Sequence, residues 1–138
     1  MSWDTYYQRK SVIDAVLSEV TQSGADELPA EWLTEITSVF GDVDGFLLAL
    51  HYAWSNTLNA RLDAAIEGTP DGAAAGVRQA WETLAAERPA QISLLARYAD
   101  RPALADAMRH LQRRLSWAPG VDVTALTRSC GGPVRVAA

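Results

Sequence analysis

The stretch Val39-Phe40-Gly41-Asp42-Val43-Asp44-Gly45-Phe46-Leu47-Leu48-Ala49-Leu50 decides how this chain folds, and its pattern continues unbroken to Ile66. Phe40 closes a short apolar segment, Gly41-Asp42 punctuates it, and an amphipathic helix begins at once. Asp42 is placed to cap that helix, because a short side-chain acceptor takes up one of the unpaired N–H groups of a first turn. The inner face reads Val43, Phe46, Leu47, Leu50, Trp54, Leu58, Leu62 and Ile66. That is the spacing of a helix with about 3.6 residues per turn. One long central helix over 42–67 is therefore expected, ended by Gly68-Thr69-Pro70-Asp71-Gly72.

Towards the N-terminus, Tyr6, Arg9, Val12, Ile13, Val16, Leu17 and Val20 recur at three and four residues and define a helix over 2–23. Ser2 or Asp4 is its candidate cap, and Gly24 sits where helices commonly stop. Pro29 fits the first turn of a helix over 29–40, striped by Trp32, Leu33, Ile36, Val39 and Phe40. Towards the C-terminus, Thr69 as cap and Pro70 after it open a helix over 70–88 carrying Val77, Trp81, Leu84 and Ala85. Pro89 divides this from a helix over 89–99 with Ile92, Leu95 and Ala96, since proline disfavours helical backbone in the residue before it. Asp100-Arg101-Pro102 repeats the punctuation before a helix over 101–117 lined by Leu104, Met108, Leu111 and Leu115. Ala118-Pro119-Gly120 breaks it, and beyond Val121 the periodicity fades. Val121 to Thr127 reads either as a turn of helix or as a short strand. Residues 118–138 as a whole read as an irregular tail with an apolar end, Val134-Arg135-Val136-Ala137-Ala138. The expectation is an all-α, single-domain bundle of about six helices spanning 1–117.

At 138 residues, with 49% apolar and 21% charged side chains, the chain is long enough to bury roughly two thirds of its unfolded surface. The lone Cys130 excludes an internal disulfide framework. No basic start with an apolar core and a small-residue cleavage site is visible, so no secretory leader is expected. Apolar runs such as Phe46 to Leu50 fall short of the ~20 residues of a membrane span. A cytoplasmic location without a membrane partner follows as the expectation. Charge is uneven within the net of -5. Residues 1–50 hold nine acids against Arg9 and Lys10, whereas residues 97–138 hold seven arginines against Asp100, Asp106 and Asp122. These regions read as solvated helix faces, or as complementary surfaces for a second copy or a partner.

The layout resembles that of TetR-type bacterial regulators. Arg9 to Gly24 is similar to the family's opening helix, Phe40 to the aromatic after its DNA-reading unit, and Asp42 to Ile66 to its linking helix. Trp81-Glu82 with Arg88-Pro89-Ala90 resembles the helix pair of the regulatory half, so the likeness covers most of residues 9–117. It implies a TetR-like arrangement around the long helix. Two departures stand out. The family's reader needs a supporting helix, a turn and a recognition helix, but residues 25–39 have room for one helix. Its polar positions Glu31, Thr34, Glu35, Thr37 and Ser38 include no cation to grip phosphates or guanine edges. After Trp117, moreover, the last helix pair of the family's dimer interface is missing. DNA is therefore not expected among the partners.

No catalytic, metal or cofactor signature is present. His51 and His110 lie on different helices, and no His or Cys pair has metal-ligand spacing. Cys130 lacks a catalytic partner, and Gly131-Gly132 has neither the preceding strand nor the following helix of a phosphate-binding loop. Glu82 and Glu87 read as solvated rather than paired for acid–base work. Aromatic residues carry more information. Trp32, Trp54 and Trp81 fall on inward stripes and read as core. His51, Trp54, Trp81 and Leu95 are candidate lining for a pocket that would take a small apolar ligand between the long helix and the two after it. Trp3, Tyr6, Tyr7 and Trp117, near the ends of the helical body, read as core or end-sealing residues, or else as an exposed patch of candidate interface residues. The expected function is non-enzymatic: a regulatory or adaptor protein working by protein–protein contact, with self-association as a homodimer. The alternative is a ligand-responsive TetR-type transcriptional regulator that binds DNA.

Overall fold

The computed structural model describes residues 3–24, 26–66 and 72–131, with residues 64–66 described by their backbone alone. Among the described residues there are seven α-helices, one 3-10 turn and no strand. The caps expected at Ser2 and Thr69, and the apolar end of the tail, lie outside them. No helix among the described residues is long and apolar enough to cross a membrane.

Helix α1 runs from Trp3 to Ser23 and buries Val12, Val16 and Val20. Gly24 ends it at φ 72, a left-handed conformation that glycine adopts without strain, with its N–H donating to the Val20 carbonyl at 3.0 Å. The next helix differs from the expected 29–40. Pro29 is extended (φ -62, ψ 131), a 3-10 turn covers Ala30–Trp32, and α2 is helical only over Leu33–Phe40. The chain before it is held open, because the Leu28 N–H donates to the Tyr98 hydroxyl at 3.0 Å.

The corner that follows is tightly specified. Gly41 closes α2 at φ 89, donating to the Thr37 carbonyl at 2.9 Å. Asp42 caps α3 (Val43–Ile66) as expected, its Oδ1 accepting the Gly45 N–H at 2.7 Å. Phe40 meets Phe46 edge-on across the corner, ring centroids 5.3 Å apart, in the manner of a hydrophobic staple. A side chain at Gly45 would run into the Phe40 carbonyl oxygen.

Helix α3 is the surface on which α2, α4, α5 and α6 pack. Phe46, Leu47, Leu50, Trp54, Leu58 and Leu62 of its expected face are buried, and Val43 is half-buried. Helix α4 (Ala73–Glu87) answers with Val77, Trp81, Leu84 and Ala85. The Trp54 and Trp81 rings meet at 5.5 Å and 63°. Helix α5 (Pro89–Arg97) was expected to bury one stripe, yet Ala90 through Leu95 are all buried. It is flanked by α1, α3, α4 and α7, so that only its ends, at Pro89 and Arg97, are exposed.

Helix α6 (Pro102–Arg114) stops short of the expected 117, and turns carry the chain through Trp117. The irregular tail is then corrected over most of its described length. Val123–Cys130 forms α7, capped by Asp122, whose Oδ1 accepts the Ala125 N–H at 3.1 Å. It packs on α4, α5 and α6 and buries Val123, Leu126 and Thr127. Gln112 on α6 fastens its start from both sides: Nε2 donates to the Val121 carbonyl and Oε1 accepts the Val123 N–H, each at 2.8 Å. At the other end, Gly131 lies so close to Ala96 that no side chain would fit.

The charge asymmetry is partly consumed within the chain. Arg97 pairs with Glu27 at 2.5 Å and Arg101 with Asp44 at 2.6 Å, joining the basic end to the acidic front. Both pairs are exposed, so each contributes about 0–1 kcal/mol and orients the segments rather than holding them.

If α7 closes the core, Leu126→Ala should destabilise the protein by about 2–5 kcal/mol in urea unfolding. An unchanged midpoint would mean that α7 is not packed.

Candidate functional site

The four residues expected to line a ligand pocket are all buried, and of them Trp54 and Trp81 meet ring to ring. Trp54 and Leu95 are at most 1% exposed, Trp81 2% and His51 3%. Trp54, Trp81 and Leu95, from α3, α4 and α5, belong to the packed hydrophobic core. Neither the Trp54 nor the Trp81 indole N–H has a hydrogen-bond partner among the described residues. Their role is apolar filling.

His51 faces α6. Its ring is hydrogen-bonded to the backbone of Ala107 and lies 3.4 Å, through Nε2, from the Ser55 hydroxyl. Burial first, and then the charge of Arg114, lower its pKa from 6.5 to about 4, while the Ala107 bond opposes the shift. It is a neutral core histidine at neutral pH. His110 is exposed beside Asp106 at 3.4 Å, one turn away on the same helix. Cys130 is the last residue of α7 and half-buried, and burial raises its thiol pKa, which disfavours the reactive thiolate. Glu87 is not free, since Arg61 bonds it at 2.5 Å and holds its carboxyl below the usual range.

The four candidate interface residues are all exposed: Trp3 75%, Tyr7 60%, Tyr6 51% and Trp117 46%. Three of them form one cluster on the first turns of α1. Trp3 stacks on Tyr7 with centroids 6.0 Å apart, and Tyr6 meets both edge-on at 6.3 and 5.5 Å. Trp117 makes no ring contact with them and stands in the turn after α6. On α2, the outward positions Thr34, Glu35, Thr37 and Ser38 present no cation beside the exposed Leu33.

One feature escaped the sequence reading. A groove of about 700 Å³ lies between α1 and the α4–α5 corner, floored by Ala53 of α3. Ile13 and Leu17 form one wall, Pro89 and Ala90 the other, and Arg9, Lys10 and Arg88 carry cations into it. The Arg9 guanidinium lies over the Phe40 ring at 5.5 Å, and its buried Nε has no hydrogen-bond partner among the described residues. At its base, Gln91 is buried and donates to the Leu50 carbonyl at 2.9 Å. The signal was present as Arg9, Ile13 and Leu17 at four-residue spacing, but an apolar stripe reads the same whether a helix or a groove covers it.

The His51 ring refuses in the folded state, down to about pH 4, a proton that the unfolded chain takes up near pH 6.5. Unfolding is therefore favoured as pH falls through that window, by on the order of 3 kcal/mol in all. His51→Gln should lack that part of the acid sensitivity when the two proteins are unfolded in urea at pH 7 and pH 4.5. Parallel profiles would contradict a buried neutral imidazole.

No protein-family model matches this chain, and neither a curated protein nor a solved structure does.

Proposed function

We propose that this protein is a non-enzymatic regulatory or adaptor protein that works by protein–protein contact, on a TetR-like helical arrangement without a DNA-reading unit. The observation that carries the reading is the cluster of Trp3, Tyr6 and Tyr7, three large aromatic side chains mutually in contact yet each more than half exposed. Aromatic residues leave water at a large gain when a second surface covers them, and they anchor interfaces out of proportion to their number. A cluster already ordered by its own ring contacts loses little further freedom on docking. A second copy of the chain is the first partner in this reading, because a two-fold axis brings the same patch of two copies together and aromatic rings can pack on one another.

The absence of cations on the outward side of α2 supports the same view, since affinity for nucleic acid rests on neutralising phosphates. The acidic N-terminal half, two of whose carboxylates are engaged by Arg97 and Arg101, retains negative charge that would repel a duplex.

Sedimentation equilibrium tests the proposal. The natural chain is expected to form a homodimer, and Trp3→Ser/Tyr7→Ser to be a folded monomer. A monomeric natural chain, paired with salt-sensitive and sequence-selective retardation of DNA fragments, would replace this reading with a transcriptional regulator that binds DNA.

A further inference from the structure

We infer that the groove between α1 and the α4–α5 corner is a binding site for a small amphipathic carboxylate, an anionic head on an apolar chain or ring. The site goes beyond the docking reading and does not rest on it.

The first support is size. A space of about 700 Å³ falls among the clefts that hold small organic ligands, which run from about 300 to 1,000 Å³. Its composition is that of such a cleft as well. Ile13, Leu17, Ala53 and Ala90 offer apolar wall and floor, beside five charged side chains among the fourteen that line it.

The second support is where the cations are. Arg9 and Lys10 are the two basic side chains of the first fifty residues, and both line the groove, with Arg88 opposite. Elsewhere among the described residues, Arg61, Arg97, Arg101, Arg109 and Arg128 each have a carboxylate partner, while Arg78, Arg113 and Arg114, like the groove cations, have none within 4.0 Å. Among the described residues Arg9, Lys10 and Arg88 have none. The lining acid Glu87 is bonded by Arg61 and also feels the charge of Arg88, so Asp14 and a largely neutralised Glu87 oppose three cations there. In a protein of net charge -5 this is a local positive site. It fits a singly charged head better than a dianion, given Asp14.

The third support is the state of Arg9. Phe40 covers the face of its guanidinium, which satisfies the cation but none of its in-plane donors. Nε is buried without an acceptor. With Nε buried and the face packed, the terminal nitrogens are what Arg9 can offer a carboxylate as charge-assisted donors. The first turn of α5, whose N-cap Arg88 supplies no capping side chain, adds its partial positive charge to the same end of the groove. The acyl or aryl body then lies along Ile13, Leu17 and Ala53, displacing water from apolar surface.

The test uses the whole chain in isothermal titration calorimetry with octanoate and 3-phenylpropanoate, below any micelle concentration, and with 1-octanol as the uncharged control. At least one carboxylate is expected to saturate a single site. Arg9→Gln/Arg88→Gln should weaken that carboxylate by at least about tenfold while changing 1-octanol by less than about twofold, because the head group is what the cations read. Amide resonances of α1 and the α4–α5 corner should shift on titration. Failure of both carboxylates to bind by about 5 mM, a level at which affinity is negligible, would overturn the inference. So would equal affinity in the double variant, or resonance shifts confined to another face. These outcomes are separate from assembly, which is read with Trp3 and Tyr7.

Discussion

The first turn of α3 passes so close to the end of α2 that the Phe40 carbonyl oxygen occupies the space of a side chain at residue 45. The rest of the bundle depends on that approach. Gly41 turns the chain through a left-handed conformation, Asp42 takes up an N–H of the new helix, and Phe40 and Phe46 lock edge to face. Together they fix the direction of α3. Every later helix except α7 packs directly on it, and α7 reaches it through α4, α5 and α6. A change in the angle of this corner would move Phe40, and with it the ring that covers Arg9. The groove is thus linked to the corner through one aromatic side chain.

Charge organises the surface more than it stabilises the core. The acidic front and the basic end are complementary, and two of their pairs close within one chain. What remains is unevenly placed: an acidic, cation-free α2, an uncharged aromatic cluster at the start of α1, and three cations gathered in one groove. Those surfaces suit different partners. Tyr6 belongs to both the aromatic cluster and the groove rim, so the two proposed contacts share a side chain.

The long helices were legible because their apolar positions repeat over several turns, and Gly24, Gly41-Asp42, Pro89 and Pro102 mark their ends by well-defined backbone chemistry. Helix α7 was not, for a physical reason. Its eight residues include Val123, Thr124 and Thr127, poor helix formers, and its order comes from tertiary contact and from the Gln112 clamp. Burial of α5 on all sides from Ala90 to Leu95 was equally out of reach, since Gln91 and Ser93 read as polar positions until neighbouring helices cover them. Of the candidate sites, Trp3, Tyr6, Tyr7 and Trp117 read from sequence either as end-sealing core or as an exposed patch; all four are exposed, and Trp117 stands apart from the others. The inward positions of His51, Trp54, Trp81 and Leu95 are all buried, with Trp54 against Trp81 and His51 turned to α6, but periodicity places residues on a face without telling cavity from close packing. The groove lies between helices far apart in sequence, which is why no local pattern announced it.

The corner gives the account its most direct test, because the sign of the effect is at stake. Alanine in place of glycine inside a helix ordinarily stabilises by about 0.5–1 kcal/mol, through lower entropy in the unfolded chain. Gly45→Ala, unfolded in urea beside the natural protein, should instead lose about 1–3 kcal/mol as the new methyl forces the α2 terminus away. A gain in stability would show that residue 45 has open space, and that the approach of α2 to α3 does not set the bundle.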